Sequence, residues 1–239
     1  MSEIRIHIEP NSIKDVLLIG DKDIVHKIYN VLRLRKGQAI VVFDGVGKEY
    51  IYNIDSIDKR SLTIKKEKIT RDVLSLNKKI TLGFPLMKEE KIDFILQKAT
   101  ELGIFGFTPF ISQRSLQNKL SLSRFVRWRK IIIEASRQSK RLYLPIISNT
   151  VSLAELAKKK YDAKFIASME GSPLEILSNC KKNNVLILIG PEGDFSPKEY
   201  SAFQENDFQF IKLSQNILRS ETAGIFFTGL MSYFLNKNE

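Results

Sequence analysis

The sequence predicts an α/β protein in which a small, mainly stranded N-terminal domain precedes a larger domain with a mainly parallel sheet. Up to about residue 70, short alternating or apolar runs are separated by turn residues, which is typical of antiparallel strands. From Ile80 onward, strand-like and helix-like segments alternate, which favours a parallel sheet covered by helices. We therefore expect domains at residues 1–70 and 80–239, joined by a linker at residues 71–79.

The first domain is expected to be a small antiparallel barrel with one helix. Its predicted strands alternate in polarity or form unbroken apolar runs, and they cover residues 4–8, 39–43, 50–57 and 62–69. Between the first two strands, Ile24, Ile28 and Val31 recur at helical spacing, and Gly37 marks the end of that helix.

The second domain is expected to begin with a strand and to end with an amphipathic helix. Strands are predicted at residues 80–84, 104–110, 163–167, 185–189 and 208–213. Helices are predicted at residues 89–102, 123–142, 152–160, 173–182, 197–206 and 222–235. The strand at 185–189 is apolar at every position, which indicates a central parallel strand that is buried on both faces.

The charge balance points to a polyanionic partner. The chain carries 38 Lys and Arg against 27 Asp and Glu, a formal net charge of +11, and its pI is near 9.6. Such an excess attracts nucleic acid through long-range forces and counterion release. The alternative is that the lysines only solvate the surface. RNA or DNA is thus the leading partner class.

Several classes of protein are disfavoured by what the sequence lacks. Cys180 is the only cysteine, so no disulfide can form within the chain, and we expect a cytoplasmic, reducing setting. No stretch approaches the ~18 apolar residues of a membrane span, and no Cys–His cluster predicts a metal. Neither a G-x-G-x-x-G nor a G-x-x-x-x-G-K-[ST] motif occurs. Chemistry that needs only positioning and electrostatics remains.

A glycine-containing loop follows the buried strand directly. The segment Gly190-Pro191-Glu192-Gly193-Asp194-Phe195 leads into Ser196-Pro197-Lys198-Glu199, which opens a helix with a capping box. Ligands of open α/β sheets bind beyond the carboxyl ends of strands, and glycines permit left-handed backbone and close approach. The loop is therefore a candidate cofactor site, although an ordinary strand-to-helix turn has the same pattern.

A second polar loop lies at the end of the last strand. Residues 214–224 again lead from a strand into a helix, and two loops at adjacent strand ends can enclose one ligand. Arg219 and Glu221 flank Ser220, so a cation beside a carboxylate is available to orient a substrate and stabilise developing charge. The alternative is that Ser220 or Thr222 caps the helix while Glu221 interacts with its dipole.

The long helix predicted at residues 123–142 has a basic face. Its outward stripe consists of Arg127, Lys130, Glu134, Arg137 and Arg141. Its inward stripe consists of Phe125, Trp128, Ile132 and Ala135. Further cations that extend the basic region are Arg114, Arg124, Arg129 and Lys140. Such a face favours RNA contact over the alternative of a merely solvated surface.

Several of these segments, taken together, resemble the RsmE family of ribosomal RNA methyltransferases, which belongs to the SPOUT superfamily. The motifs that carry the resemblance are 190–193, 217–223, Lys98-Ala99-Thr100-Glu101-Leu102-Gly103, Arg114-Ser115, and Glu134-Ala135-Ser136-Arg137-Gln138-Ser139 with Arg141 and Pro145. Arg5, His26, Val31-Leu32-Arg33 and Gly37 also fit in the first domain, so the resemblance covers essentially the whole chain.

The resemblance implies a PUA-like RNA-binding barrel followed by a SPOUT domain that is threaded as a trefoil knot, and a homodimer. It implies S-adenosylmethionine as cofactor, methylation of N3 of a uridine in 16S ribosomal RNA, and Arg219 and Glu221 as catalytic residues. The implied cofactor-binding residues are Ser168, Gly190, Pro191, Glu192, Gly193, Leu213, Ile217, Leu218, Arg219 and Thr222. The implied RNA-binding residues are Arg5, His26, Arg33, Arg114, Arg137, Gln138 and Arg141.

Two positions depart from the family pattern, and other functions stay open. Asp194 and Ser214 stand where the family usually has glycine, so the backbone must tolerate a β-carbon at both positions. The alternatives are a SPOUT methyltransferase that acts on tRNA or on a ribose 2′-hydroxyl, and a noncatalytic RNA-binding factor of ribosome assembly.

Overall fold

The computed structural model describes residues 4–114 and 120–237, which fall into two compact units. Unit 1 comprises Met1–Ser75 and Ser136–Leu144, and unit 2 comprises Leu76–Ala135 and Pro145–Glu239. Ser115 lies outside the described residues. None of the helices within the described ranges has the length and apolar character needed to cross a membrane.

Unit 1 contains a five-stranded sheet, a short helix between its second and third strands, and a 3₁₀ turn at Pro10–Ser12. Its elements are β1 (Arg5–His7), β2 (Val16–Ile19), α1 (Lys22–His26, continued by a π-helical turn at Lys27–Val31), β3 (Ala39–Phe43), β4 (Lys48–Ile57) and β5 (Leu62–Asp72). The strand order is β1-β3-β4-β5-β2. An antiparallel sheet was expected, but one strand pair is parallel: β1 pairs in parallel with β3. β2 was not predicted; its four residues are all apolar, and they alternate between exposed and buried.

The segment Ser136–Leu144 belongs to unit 1, a feature that sequence periodicity did not indicate. Arg5 Nη1 donates to the carbonyl of Ser136 at 2.9 Å, and Arg5 Nη2 donates to the carbonyl of Arg141 at 2.6 Å. The amide of Leu144 donates to the carbonyl of Gly45 at 2.9 Å. Backbone groups of the distant segment are thus satisfied by the N-terminal strands.

Unit 2 is built on a seven-stranded sheet whose strand pairs are all parallel. Its elements are β6 (Lys79–Pro85), α2 (Glu89–Glu101), β7 (Gly106–Ile111), α3 (Leu122–Gln138, whose last turn counts with unit 1), β8 (Ile146–Ile147), β9 (Val151–Ser152), α4 (Leu153–Lys158), β10 (Ala163–Pro173), β11 (Asn184–Leu188), α5 (Pro197–Glu205), β12 (Phe208–Lys212) and α6 (Ser220–Asn236). The order is β12-β10-β11-β6-β7-β8, with β9 also paired to β7.

One predicted strand and two predicted helices of unit 2 can be compared directly with the structure. The predicted buried strand is confirmed, because residues 185–189 are each 0% exposed. The helix predicted at residues 173–182 is wrong: β10 runs to Pro173, and a 3₁₀ helix follows at Leu174–Asn179. α3 ends at Gln138 rather than at residue 142, and Lys140 adopts a left-handed φ of 57°, which no α-helix continues through.

Candidate active site

The candidate site lies at the carboxyl ends of parallel strands in unit 2. β11 leads into a loop at residues 190–194, and β12 leads into a loop at residues 213–219. The two loops were expected to follow adjacent strands, but β10 lies between β11 and β12. A third segment therefore contributes to the site.

β10 supplies that segment because its pairing with β12 is interrupted. Ala167 and Ser172 both lie opposite Ile211, so the intervening residues leave the ladder as a bulge, and residues 168–170 line the site. Gly171 returns the chain to β12 at very close approach. A Cβ at this position would lie 2.5 Å from the amide nitrogen of Ile211, so a glycine is required.

These three segments and the start of α2 enclose a cavity of about 750 Å³. That volume is typical of sites for ligands of cofactor size. Predicted cofactor-binding residues that line the cavity are Ser168, Gly190, Pro191, Glu192, Leu213, Ile217, Leu218 and Arg219. Gly193 and Thr222 were also predicted, but they do not line it. The sequence motifs thus converge on one cavity in the folded chain.

The backbone of the first loop differs from the expectation at its glycines. Gly190 and Gly193 have no positive φ, whereas Asp194 has a φ of 60°. The left-handed residue is therefore the aspartate that replaces the usual glycine, and aspartate tolerates this conformation better than most residues. The Asp194 amide donates to the Pro191 carbonyl at 3.0 Å, and Ser220 Oγ donates to the Gly190 carbonyl at 2.8 Å. The second bond joins the two loops.

An aromatic cluster that includes Phe195 and Phe203 packs at the carboxyl end of the first loop. Phe195 is 3% exposed, and its ring lies 4.8 Å from that of Phe203 in an edge-to-face arrangement. The predicted capping box at the start of α5 is present, with Ser196 as the N-cap and Glu199 as its partner. Glu199 also accepts a hydrogen bond from the amide of Gln113 at 2.9 Å. The carboxyl end of the loop is thus fixed by buried groups.

Tyr200 places a phenol hydroxyl in the cavity wall. It donates to the carboxylate of Asp194 at 3.0 Å. Burial, followed by the hydrogen bond to Asp194, raises the pKa of Tyr200 to about 12. The hydroxyl therefore stays protonated at neutral pH and acts as a hydrogen-bond donor.

Arg219 and Glu221 take different positions at the start of α6. Arg219 is the N-cap residue, is exposed, and lines the cavity. The side chain of Glu221 is 14% exposed and does not line the cavity, and its carboxylate lies 3.5 Å from the ammonium of Lys91. Only the arginine of this predicted pair faces the space where a ligand would bind.

The RNA-binding candidates of unit 1 fall into three groups. His26 and Arg33 are exposed, and Arg33 has a left-handed φ of 52°. Arg137 is half-buried and Gln138 is exposed; the side chain of Arg141 is buried enough to lower its pKa to about 10. Arg5 is only 3% exposed and donates to Glu49 and to two carbonyl groups. The prediction that Arg5 binds RNA is wrong, because its guanidinium group is buried and already paired.

The basic face of α3 is partly neutralised within unit 2. Arg127 forms ion pairs with Glu89 and Asp93, and Arg124 pairs with Glu89 at 2.9 Å. Arg124 is 9% exposed, so its assignment to the basic surface is wrong. The inward stripe is confirmed at Trp128, Ile132 and Ala135, which are 0%, 2% and 4% exposed, whereas Phe125 is half-buried. Arg114 is exposed and donates to the carbonyl of Gly193.

Sequence reasoning missed several residues that line the cavity, chiefly Lys91, Met169, Glu170, Tyr200 and Asn216. Lys91 carries no motif of its own, and only the pairing of β6 with β11 reveals that the start of α2 adjoins the first loop. Tyr200 lies one turn into α5, where its position after the capping box was an available signal. Within the described ranges, no group of three or more His, Cys, Asp or Glu side chains is arranged to hold a metal ion.

Comparisons with known proteins agree with this architecture. A family model described as an RNA methyltransferase domain matches residues 75–232, and a model described as an RNA methyltransferase PUA domain matches residues 19–67. The chain is therefore an α/β RNA methyltransferase with an N-terminal PUA domain, which confirms the predicted fold class.

The relatives narrow the class to one family. Ribosomal RNA small subunit methyltransferase E from Bacillus subtilis (strain 168) is 31% identical over 222 residues, which cover 87% of both chains. The enzyme of that name from Rickettsia conorii is 30% identical over 207 residues, 84% of this chain and 83% of the relative. A crystal structure of ribosomal RNA small subunit methyltransferase E from Neisseria gonorrhoeae, bound to S-adenosyl methionine, aligns over 96% of each chain with a TM-score of 0.82 and 27% identity. The chain belongs to the ribosomal RNA small subunit methyltransferase E family.

Proposed function

We propose that this protein transfers a methyl group from S-adenosylmethionine to N3 of a specific uridine in 16S ribosomal RNA. The observation that carries the proposal is the cavity bordered by three strand-end segments, in a chain whose solved relative from Neisseria gonorrhoeae is bound to S-adenosyl methionine. The net charge of +11 is suited to an RNA substrate.

The residues around the cavity fit this cofactor. The apolar side chains of Leu213, Ile217 and Leu218 offer a surface for a planar base, and Tyr200 and Ser168 offer hydroxyl groups. Glu192 offers a carboxylate, which is suited to a ligand that carries cationic groups. We assign these residues, with Gly190 and Pro191, to cofactor binding. Gly193 and Thr222 do not line the cavity, so we assign them an indirect role, through the backbone of the first loop and of the first turn of α6.

The chemistry needs positioning and charge stabilisation. When bound, S-adenosylmethionine supplies an electrophilic methyl group, which passes from its sulfur to N3 of the base as N3 loses its proton. Arg219 stabilises the negative charge that develops on the uridine carbonyl groups. Glu221 does not line the cavity, so we assign it an indirect role: it orients Arg219, two positions before it, and the N3 proton leaves to water. The base must be unpaired or flipped, because its N3 edge is hidden in a base pair.

RNA binding is assigned to both parts of the chain. The proposed domains are a PUA-like RNA-binding domain at residues 1–70, a linker at 71–79 and a SPOUT domain at 80–239. The proposed RNA contacts are His26, Arg33, Arg114, Arg137, Gln138 and Arg141. We further propose that the protein acts in the cytoplasm as a homodimer on the small ribosomal subunit.

Methyl transfer from labelled cofactor tests the proposal directly. Small subunits from a strain that lacks the modification are incubated with the protein, and the labelled nucleoside is identified by mass spectrometry and mapped. We expect N3-methyluridine at a single position of 16S RNA. Label in tRNA or on a ribose 2′-hydroxyl would favour the alternative methyltransferases. RNA binding without any transfer would favour a noncatalytic assembly factor.

A further inference from the structure

Lys91 lies where the two loops that border the cavity come together. It occupies the first turn of α2, which begins shortly after β6. β6 pairs in parallel with β11, with Leu82 opposite Ile187, so the start of α2 and the loop after β11 lie at the same edge of the sheet. This topology brings Lys91 to Glu192, which is 101 positions later in the chain.

The ammonium group of Lys91 contacts two carboxylates, one in the first loop and one at the start of the helix that follows the second loop. It hydrogen-bonds to Glu192 of the first loop, and it lies 3.5 Å from Oε2 of Glu221, in the first turn of α6. The side chains of Lys91 and Glu221 are 23% and 14% exposed, so solvent screens this contact only partly. Lys91 also lines the cavity itself.

The charge of Lys91 is unfavourable for the helix that carries it. A cation in the first turn faces the positive end of the helix dipole, whereas the neighbouring residues of this turn, Glu89 and Glu90, are acidic as expected. The two loop carboxylates offset that cost, and the hydrogen bond to Glu192 is the main cause that raises the pKa of Lys91. The ammonium form is thus maintained at neutral pH.

We infer that Lys91 is a positioning residue that sets the spacing of the two cofactor loops by bridging Glu192 and Glu221. The inference rests on the proposed function, because the ligand between the loops is taken to be S-adenosylmethionine. Without the ammonium, the two carboxylates repel each other and the loops separate. The cavity then widens, and cofactor affinity falls even though Arg219 is intact.

Calorimetry with S-adenosylhomocysteine, which binds without RNA or turnover, tests the inference. K91M is compared with K91R, which keeps the charge, and with K98M, which removes a lysine of the same helix that pairs with Glu101. We expect K91M to bind about tenfold more weakly than wild type and K91R within about threefold. K98M should bind like wild type. If thermal unfolding shows that K91M does not fold, E221Q weakens the bridge at a carboxylate that does not line the cavity, and it should also bind more weakly than wild type.

Hydrogen exchange of the protein without ligand separates this inference from the proposed function. Residues 190–194 and 214–221 should exchange faster in K91M than in wild type or K98M, because the bridge that restrains them is lost. Wild-type affinity or wild-type exchange in K91M would overturn the inference, as would K91R that behaves like K91M. If the wild-type protein binds no S-adenosylhomocysteine, the proposed function fails, and the exchange comparison still decides the role of Lys91.

Discussion

The phenol oxygen of Tyr200 lies 3.0 and 3.1 Å from the two carboxylate oxygens of Asp194. This hydrogen bond joins a left-handed residue of the cofactor loop to the aromatic cluster beneath it, since the ring of Tyr200 packs against that of Phe203. The aspartate thus has a side-chain partner that a glycine at the same position lacks.

Substitution of Asp194 separates its backbone conformation from its side-chain bond. We expect D194A to lower the free energy of unfolding by about 1 kcal/mol, because it loses the bond to Tyr200 and keeps the left-handed strain. D194G loses the bond but relieves the strain, so its stability should stay within about 0.5 kcal/mol of wild type. D207G is the matched control: it makes the same substitution at another aspartate with a left-handed φ, 58°, and shows how much relief of that strain alone changes stability. Urea unfolding measures all three, and equal stability of D194A and D194G would contradict this account.

Alkaline pH should destabilise the protein through Tyr52, which is buried, and Tyr200, which is half-buried. The pKa values of Tyr52 and Tyr200 are raised from 10.0 to about 12, in both cases mainly by burial. Because the folded pKa exceeds the unfolded one, this stability is fully present below about pH 10 and is lost as pH rises through about 12. Urea unfolding across this range checks the prediction. Y200F should reduce the pH dependence, whereas Y233F, at an exposed side chain, should leave it unchanged.

Arg5 is predicted to support the fold of unit 1 rather than bind RNA. R5M removes the guanidinium group that donates hydrogen bonds to Glu49 and to two backbone carbonyl groups. The Glu49 carboxylate then keeps only a longer ion-pair contact, to Arg71 at 3.7 Å. We expect a loss of about 3–5 kcal/mol in the free energy of unfolding, as for other broken buried ion pairs. R33M, at an exposed position, should change stability by no more than about 0.5 kcal/mol. Comparable stability of the two variants by urea unfolding would refute the structural role.

Arg219 should govern turnover more than stability. R219A is expected to lower kcat by about 10²–10³. The substitution removes an exposed cation that faces the cavity, so the negative charge that develops on the base is no longer stabilised. Single-turnover methyl transfer to small subunits measures the effect. K198A removes an exposed cation from α5 outside the cavity and should retain wild-type rates. Wild-type turnover in R219A would remove this residue from the mechanism.

Local patterns predicted the parts of the fold that depend on periodicity. The alternation of strands and helices after Ile80, the buried run at 185–189 and the capping box at Ser196 all depend on residues close in sequence, and each is present. The inward stripe of α3 was predictable for the same reason, because burial follows helical spacing.

Long-range relationships were not predictable in this way. Arg5 looked like a surface cation, but its partners Glu49 and Ser136 lie 44 and 131 positions away. Arg124 is similarly paired with Glu89, on a helix that the sequence pattern does not place beside α3. Most predicted residues of the two loop motifs line one cavity, and their role in cofactor binding stays a prediction. The positions of Lys91 and of the β10 bulge depend on the order of strands in the sheet, which no local pattern indicates.

The bulge of β10 allows the cavity wall to change without a change in the pairing of the sheet. The chain leaves and rejoins the ladder opposite the same residue, Ile211, so a longer or shorter excursion between Ala167 and Ser172 leaves every other strand pair in register. Residues 168–170 can therefore vary in length and chemistry while Gly171 preserves the return. Redesign of ligand preference, by selection or by engineering, has its least disruptive starting point in this short excursion.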